Sequence, residues 1–273
     1  MRTVHATRYV TPLREGGSLP AIVEGDDDGL YVAKFRGAGQ GEKALVAELI
    51  AGELARLAGL RVPELVLLTL DPALGRNEPD YEIRQLLKAS AGLNLGVDYL
   101  PGSVTFDPVA GPAPDAALAS AVVALDAWVQ NVDRTPRNTN LLLWHRQLWL
   151  IDHGAALHFH HAWERYLGAG APPAEQSSSG APPHLAKDTA RSPYPLVKDH
   201  VLLPWATALP AAIAALRAKA TRPAIEAVLA AVPDAWLSGE GPDRAAYVDH
   251  LARRLDASDL WLEEAERARA ALV

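Results

Sequence analysis

The chain has 273 residues, 49% of them hydrophobic, a formal net charge of −7 and no cysteine, which is material enough for one large domain or two lobes around a core. Its acidic balance offers no excess of positive charge to neutralise nucleic-acid phosphates, so neither DNA nor RNA is expected as a partner. Without cysteine there is no disulfide framework or thiolate metal site, which fits a reducing compartment and makes the cytoplasm the default.

The first residues lack an apolar signal core, and the richest apolar run, 116–129, is too short to span a bilayer and contains Asp126, so no stable membrane insertion is expected. Residues 8–13 read as a first strand. They lead into Arg14-Glu15-Gly16-Gly17-Ser18, a turn whose glycines can take positive φ and let backbone N–H groups approach an anion. Residues 19–24 read as the second strand and 30–35 as the third. Period-2 alternation sends Lys34 to the face of Val32, and an ammonium on a covered face needs an anionic partner, either a phosphate or a glutamate. Residues 42–58 are built from Ala, Leu and Glu with one glycine and predict a helix that Gly59 stops. Ala44, Ala51 and Ala55 form a stripe of small residues with Glu48 at its edge, so this helix can approach a sheet closely. Residues 64–70 and 80–87 read as two more strands, completing a five-stranded sheet.

Residues 88–114 are rich in Gly, Pro and Asn and predict an irregular connection. A helix over 115–130 follows, apolar on most sides and therefore buried. Leu141 to Trp144 and residues 148–151 are short apolar runs separated by His145, Arg146 and Gln147, the pattern of a tight β-hairpin. Antiparallel pairing there brings the segment carrying Asp133 and Asn138 beside the one carrying Asp152. Two carboxylates and an amide then converge, a donor set that suits a hard cation such as Mg²⁺. Asp152 and Asn138 are the natural ligands, which leaves Asp133 to accept a hydrogen bond from an attacking hydroxyl. Plain use of the three as caps and turn residues is the alternative. Past Gly154, His158, His160 and His161 invite a metal reading, but no cysteine or helical HExxH pattern supports it, and a polar, substrate-facing loop explains them as well. Residues 168–195 are dominated by Gly, Ala, Pro and Ser and predict a long surface loop. Helices are expected near 209–220, 222–231, 243–255 and 258–271, punctuated by Pro223, Pro233 and Pro242.

The run Asp133-Arg134, then Asn138, then Ile151-Asp152-His153-Gly154 resembles the catalytic and metal-binding loops of HipA-type kinases and phosphatidylinositol kinases. Glu48, followed by Leu54-Ala55-Arg56-Leu57-Ala58-Gly59-Leu60 and Val62-Pro63, is similar to the segment that follows the nucleotide lysine in HipA-type kinases. The resemblance implies an α+β, bilobal, protein-kinase-like fold. Its N-terminal nucleotide-binding lobe over 1–88 would be a small antiparallel sheet with one helix, and its larger C-terminal catalytic lobe over 89–273 mostly helical. It further implies ATP and Mg²⁺ as cofactors. Gly16, Gly17, Ser18, Lys34 and Glu48 would hold the nucleotide, and Gln85, Leu86 and Leu87 would connect the lobes and bind adenine through their backbone. Asn138 and Asp152 would hold the metal, and Asp133 would act with Lys34 in catalysis. In such kinases a serine of the glycine turn is self-phosphorylated, which singles out Ser18, and residues 168–195 stand in the place of the activation segment.

Most relatives of this type phosphorylate protein Ser or Thr. An inositol-lipid substrate would be helped by a basic membrane face, and the scattered Lys and Arg here favour a protein substrate. A small-molecule phosphotransferase of the aminoglycoside-kinase type is an alternative, although that family usually has His two residues before the catalytic Asp, where this chain has Asn131. A reading from another class is an ATP-binding pseudokinase or sensor, against which the joint presence of Lys34, Asp133, Asn138 and Asp152 argues. The sequence lacks the extra N-terminal material of longer HipA proteins, so an antitoxin partner does not follow from the resemblance.

Overall fold

The computed structural model describes residues 1–13, 19–76, 78–163, 189–239 and 241–272. Five strands, β1 (Thr3–Pro12), β2 (Ala21–Gly25), β3 (Leu30–Lys34), β4 (Leu65–Leu70) and β5 (Gly92–Asp98), close a barrel in the order β1-β2-β3-β5-β4. Alternation sends Val4, Val23, Tyr31, Ala33, Val66 and Leu68 inward to one apolar cluster, as a half-buried strand requires. The pairings are antiparallel except one: Thr3 to His5 of β1 run parallel to Leu67 to Thr69 of β4. The expected all-antiparallel sheet is therefore corrected to a closed barrel with a parallel seam, made by a β1 that begins five residues earlier than its polar start shows. Gly16, Gly17 and Ser18 lie outside the described residues.

Helix α1 (Glu42–Ala58) crosses from the barrel to the rest of the chain. It ends as expected at Gly59, whose left-handed φ of 93° lets its N–H reach the Ala55 and Arg56 carbonyls. The single glycine inside it, Gly52, has a packing reason: a Cβ there would fall 2.8 Å from Leu65 Cδ1. Its absence lets α1 lie close on the start of β4, one turn away from Glu48.

Two expectations for this region change. Residues 80–87, read as a strand, form helix α2 (Tyr81–Ala89), started by the Asp80 carboxylate accepting from the Glu82 and Ile83 amides. Ile83 and Leu87, one turn apart, pack into the barrel cluster. The fifth strand is instead β5, past the boundary expected at residue 88. Its glycines and asparagine are packing residues: a Cβ at Gly96 would meet Val66 Cγ2 at 2.7 Å. Buried Asn94 accepts from the Arg36 amide at 2.9 Å and donates to the Ser90 and Gly92 carbonyls.

Beyond β5, β6 (Val104–Thr105), β7 (Leu141–Trp144) and β8 (Gln147–Leu150) form a second small sheet. The hairpin is as expected, except that Gln147 begins β8, opposite Trp144, and the turn is His145 and Arg146 alone, both at positive φ. Helix α3 (Ala116–Val129), capped by Asp115, is buried along ten of its residues. It packs with α1, α4 (Leu209–Lys219), α5 (Arg222–Ala230), α6 (Arg244–Asp256) and α7 (Ser258–Ala270) in the main apolar core. The four C-terminal helices thus fall where the proline punctuation put them. Of the long loop expected over 168–195, residues 164–188 lie outside the described residues. Among the described residues no helix is long and apolar enough to cross a membrane.

Candidate active site

Lys34 ends β3, and its ammonium points away from the barrel interior on the face of Val32. It donates to Asp152 Oδ1 at 2.6 Å and stands 3.5 Å from Glu48 Oε2. Strand, helix and post-hairpin segment, the last more than a hundred residues further along the chain, thereby meet at one cation. Burial disfavours the charged lysine, but the two carboxylates outweigh it and raise its pKa above the ordinary lysine range. Burial likewise opposes the Glu48 carboxylate. Lys34 and then His153, whose Nδ1 lies 3.6 Å from Glu48 Oε1, overcome that and hold Glu48 at about 2. Asp152 occupies the left-handed region at φ 54°, and 46% of its side chain is exposed, against 14% for Lys34. It is the member of the trio turned toward solvent.

Asp133 Oδ2 accepts from Asn138 Nδ2 at 2.8 Å and from Asn140 Nδ2 at 3.2 Å. Both bonds fall on one oxygen, which leaves Oδ1 for an incoming donor. Asn138 spends its amide NH₂ on Asp133, so its carbonyl oxygen remains available to a cation. The loop is tied across to the segment after the hairpin: Ile151 N–H donates to the Asn140 carbonyl at 3.1 Å. The Arg134 guanidinium reaches the carbonyls of both Asn140 and Ile151. Asp133 and Asp152 are each one residue from this buried cross-tie. The expected pairing of the two segments is therefore present.

What holds the loop is a cluster that sequence reasoning did not find. Asp126, wholly buried in α3, receives Arg134 Nε at 2.5 Å, His200 Nε2 at 2.9 Å and Asn131 Nδ2 at 3.2 Å. Burial opposes its charge, but Arg134 and then His200 prevail and keep its pKa well below the usual carboxylate range. Asn131 in turn accepts from the Asp133 amide at 3.2 Å, and the Tyr194 hydroxyl donates to the Asn131 carbonyl. The signal was present: a carboxylate in an otherwise apolar helix demands a buried partner.

One expectation fails here. Gln85, Leu86 and Leu87, expected in an extended connection, lie instead in helix α2, with Leu87 fully buried in the barrel cluster. Just past β5, the Tyr99 amide donates to the Leu30 carbonyl at 2.9 Å. The three histidines differ in their surroundings. His160 is buried, its Nδ1 2.9 Å from the Tyr247 hydroxyl and its Nε2 3.0 Å from His161 Nε2, while His158 Nδ1 sits 3.4 Å from the Gln130 carbonyl. Among the described residues no group of three or more His, Asp or Glu side chains gathers around a common point where a metal would sit.

The fold has known counterparts. A crystal structure of the Helicobacter pylori proinflammatory kinase CtkA aligns over 99% of this chain and 100% of its own, at 13% identity and a TM-score of 0.55. That of the Golgi casein kinase aligns over 98% of this chain and 74% of its own, at 12% identity and a TM-score of 0.50. No curated protein matches the chain. The family model of HipA-like kinases matches residues 7–167, a span that holds Lys34, Glu48, Asp133, Asn138 and Asp152 together, and the chain belongs to the HipA-like kinase family.

Proposed function

We propose that this kinase transfers the γ-phosphate of ATP to a hydroxyl, with a protein Ser or Thr as the acceptor and Mg²⁺ as the metal. The observation that carries this is the meeting of Lys34, Glu48 and Asp152 at one point, beside a loop that presents Asp133 and Asn138. In this reading the barrel with α1 and α2 is a nucleotide lobe and the helical remainder a catalytic lobe, a bilobal arrangement divided after Asp98 rather than at residue 88. The Lys34 ammonium holds nucleotide phosphates while Glu48 fixes the lysine from behind. Gly16, Gly17 and Ser18 would add backbone donors to the phosphates, and the chain after β5 backbone groups for adenine.

Asp152 and Asn138 are all-oxygen donors, one half-exposed and one with its carbonyl available, and fit a hard cation that completes its shell with water and phosphate. When bound, such a cation neutralises charge on the phosphates. Asp133 orients the acceptor hydroxyl through Oδ1. The hydroxyl oxygen bonds to the γ-phosphorus as the bond to the bridging oxygen of ADP breaks, and the hydroxyl proton passes to Asp133. Scattered rather than clustered Lys and Arg favour a protein over an anionic lipid surface.

The test is intact mass and ADP release after incubation with ATP and Mg²⁺ at low protein concentration, with Asp133→Asn as the control. Added phosphate on the chain or ADP formation, absent in the control, is expected. Tight ATP binding with neither would establish a nucleotide sensor instead.

A further inference from the structure

His153 lies between Asp152 and Gly154 with no solvent exposure, and neither of its ring nitrogens has a hydrogen-bond partner. A buried imidazole always carries at least one N–H, and an N–H without an acceptor is costly in such a place. One carboxylate oxygen stands just beyond bonding distance of Nδ1: Glu48 Oε1, at 3.6 Å. The other oxygen of that carboxylate faces Lys34 at 3.5 Å. The backbone closes on the same group, since a Cβ at Gly154 would stand 3.6 Å from Glu48 Oε2 and 3.7 Å from the Ala44 carbonyl. Glu48 is thus gripped from two sides, by the lysine of β3 and by the residue that follows Asp152.

We infer that His153 is a positioning residue: its Nδ1–H orients the Glu48 carboxylate so that Oε2 stays turned to Lys34, coupling α1 to the Asp152 segment. The inference rests on the phosphotransfer reading of the site. In that reading Asp152, the nearer partner of Lys34, is shared with the metal, and Glu48 is the partner that keeps the lysine in place for the phosphates. An apolar side chain at 153 would fill the same space and leave Glu48 free to rotate, so the expected defect is in nucleotide affinity rather than in the chemical step.

The test compares His153→Phe, which keeps the ring shape without donors, with His153→Asn, whose amide nitrogen falls near the place of Nδ1. Loss of the Nδ1–H facing the Glu48 carboxylate predicts that His153→Phe raises KM for ATP about ten-fold. Its kcat should change by less than roughly three-fold, and His153→Asn should return KM to within roughly three-fold of the parent. A long-range proton–nitrogen correlation spectrum of the unaltered protein supplies a readout that needs neither turnover nor a replacement at 153: His153 Nδ1 carries the proton, and Glu48→Gln shifts its resonance. An Nδ1 without a proton overturns the inference. So does an unchanged KM in His153→Phe when Asp152→Ala has abolished turnover. Turnover that survives Asp152→Ala refutes the phosphotransfer site itself, and the His153 contact with Glu48 then stands or falls on the spectrum alone.

Discussion

Lys34 stands closer to Asp152 than to Glu48, at 2.6 against 3.5 Å, so the half-exposed carboxylate and not the buried one is its nearer counter-ion. That order matters because Asp152 is also the proposed metal ligand, and a carboxylate shared between a lysine and a cation sets how both meet the phosphates. Asp152→Ala is expected to reduce phosphate transfer to background. The fold should survive, since Asp152 is itself half-exposed and the buried Lys34 keeps Glu48 as a counter-ion. A thermal melt beside an ATPase assay checks both halves, and normal turnover would remove Asp152 from the site.

Asp133 carries two amide donors on Oδ2 and lies one residue from the buried Arg134. Asp133→Asn keeps the shape and removes the proton acceptor. Turnover is expected to fall by roughly 10²- to 10⁴-fold, the loss typical of a positioned base, while the Kd for ATP with Mg²⁺ stays nearly constant. Calorimetric titration against ATP separates the cases: an affinity that falls in step with turnover makes Asp133 a metal ligand.

How far the site could be read from the chain follows the range of the interactions involved. Lys34, helix α1 and the β7–β8 hairpin were legible because strand alternation, helix propensity and a polar turn between apolar runs are local signals, whereas Glu48 stood out from the other glutamates of α1 only through the resemblance to HipA-type kinases. The exchange of α2 for β5 was not. Glu82, Arg84, Gln85 and Lys88 favour a helix, but Tyr81, Ile83 and Leu87 also fit alternation, and only Asp80 as a cap decides between them. Gly92, Asn94 and Gly96 look like loop residues until Val66 and the Arg36 amide are placed against them. The hinge assignment to Gln85, Leu86 and Leu87 failed with that exchange. His200 reaches Asp126 across 74 positions, and no local pattern announces it.

The Asp126 cluster gives a prediction that separates folding from positioning. Asp126→Ala strands a wholly buried Arg134 and is expected to cost about 3–5 kcal/mol in urea unfolding, the usual penalty for breaking a buried ion pair from one side. The double change Asp126→Leu with Arg134→Met removes both charges and should recover much of that stability. Turnover should not return with it, because Arg134 no longer ties the Asn140 and Ile151 carbonyls together. A stable double variant with parental turnover would show that the cluster serves the fold alone.

The buried histidines predict an acid-side loss of stability that starts unusually high in pH. Burial, then the neighbouring His161, Lys43 and His158, push His160 down to about 2, and burial with the nearby Arg254 and Arg253 holds His250, stacked on Phe159 at 3.7 Å, well below its ordinary value. Both are neutral in the folded protein at pH values where the unfolded chain, titrating near 6.5, takes up a proton. Between those limits the unfolded state binds more protons, so the contribution is fully present above about pH 6.5 and is lost progressively as pH falls toward the folded values. Each histidine adds a slope of up to about 1.4 kcal/mol per pH unit in that window. Urea unfolding at about pH 7.5 and about pH 5.5 measures it, and His160→Gln, which offers Tyr247 an amide in place of the imidazole, should remove one histidine's share of the decline. An identical decline in the parent and in His160→Gln would mean that His160 takes up its proton in the folded state as readily as in the unfolded one.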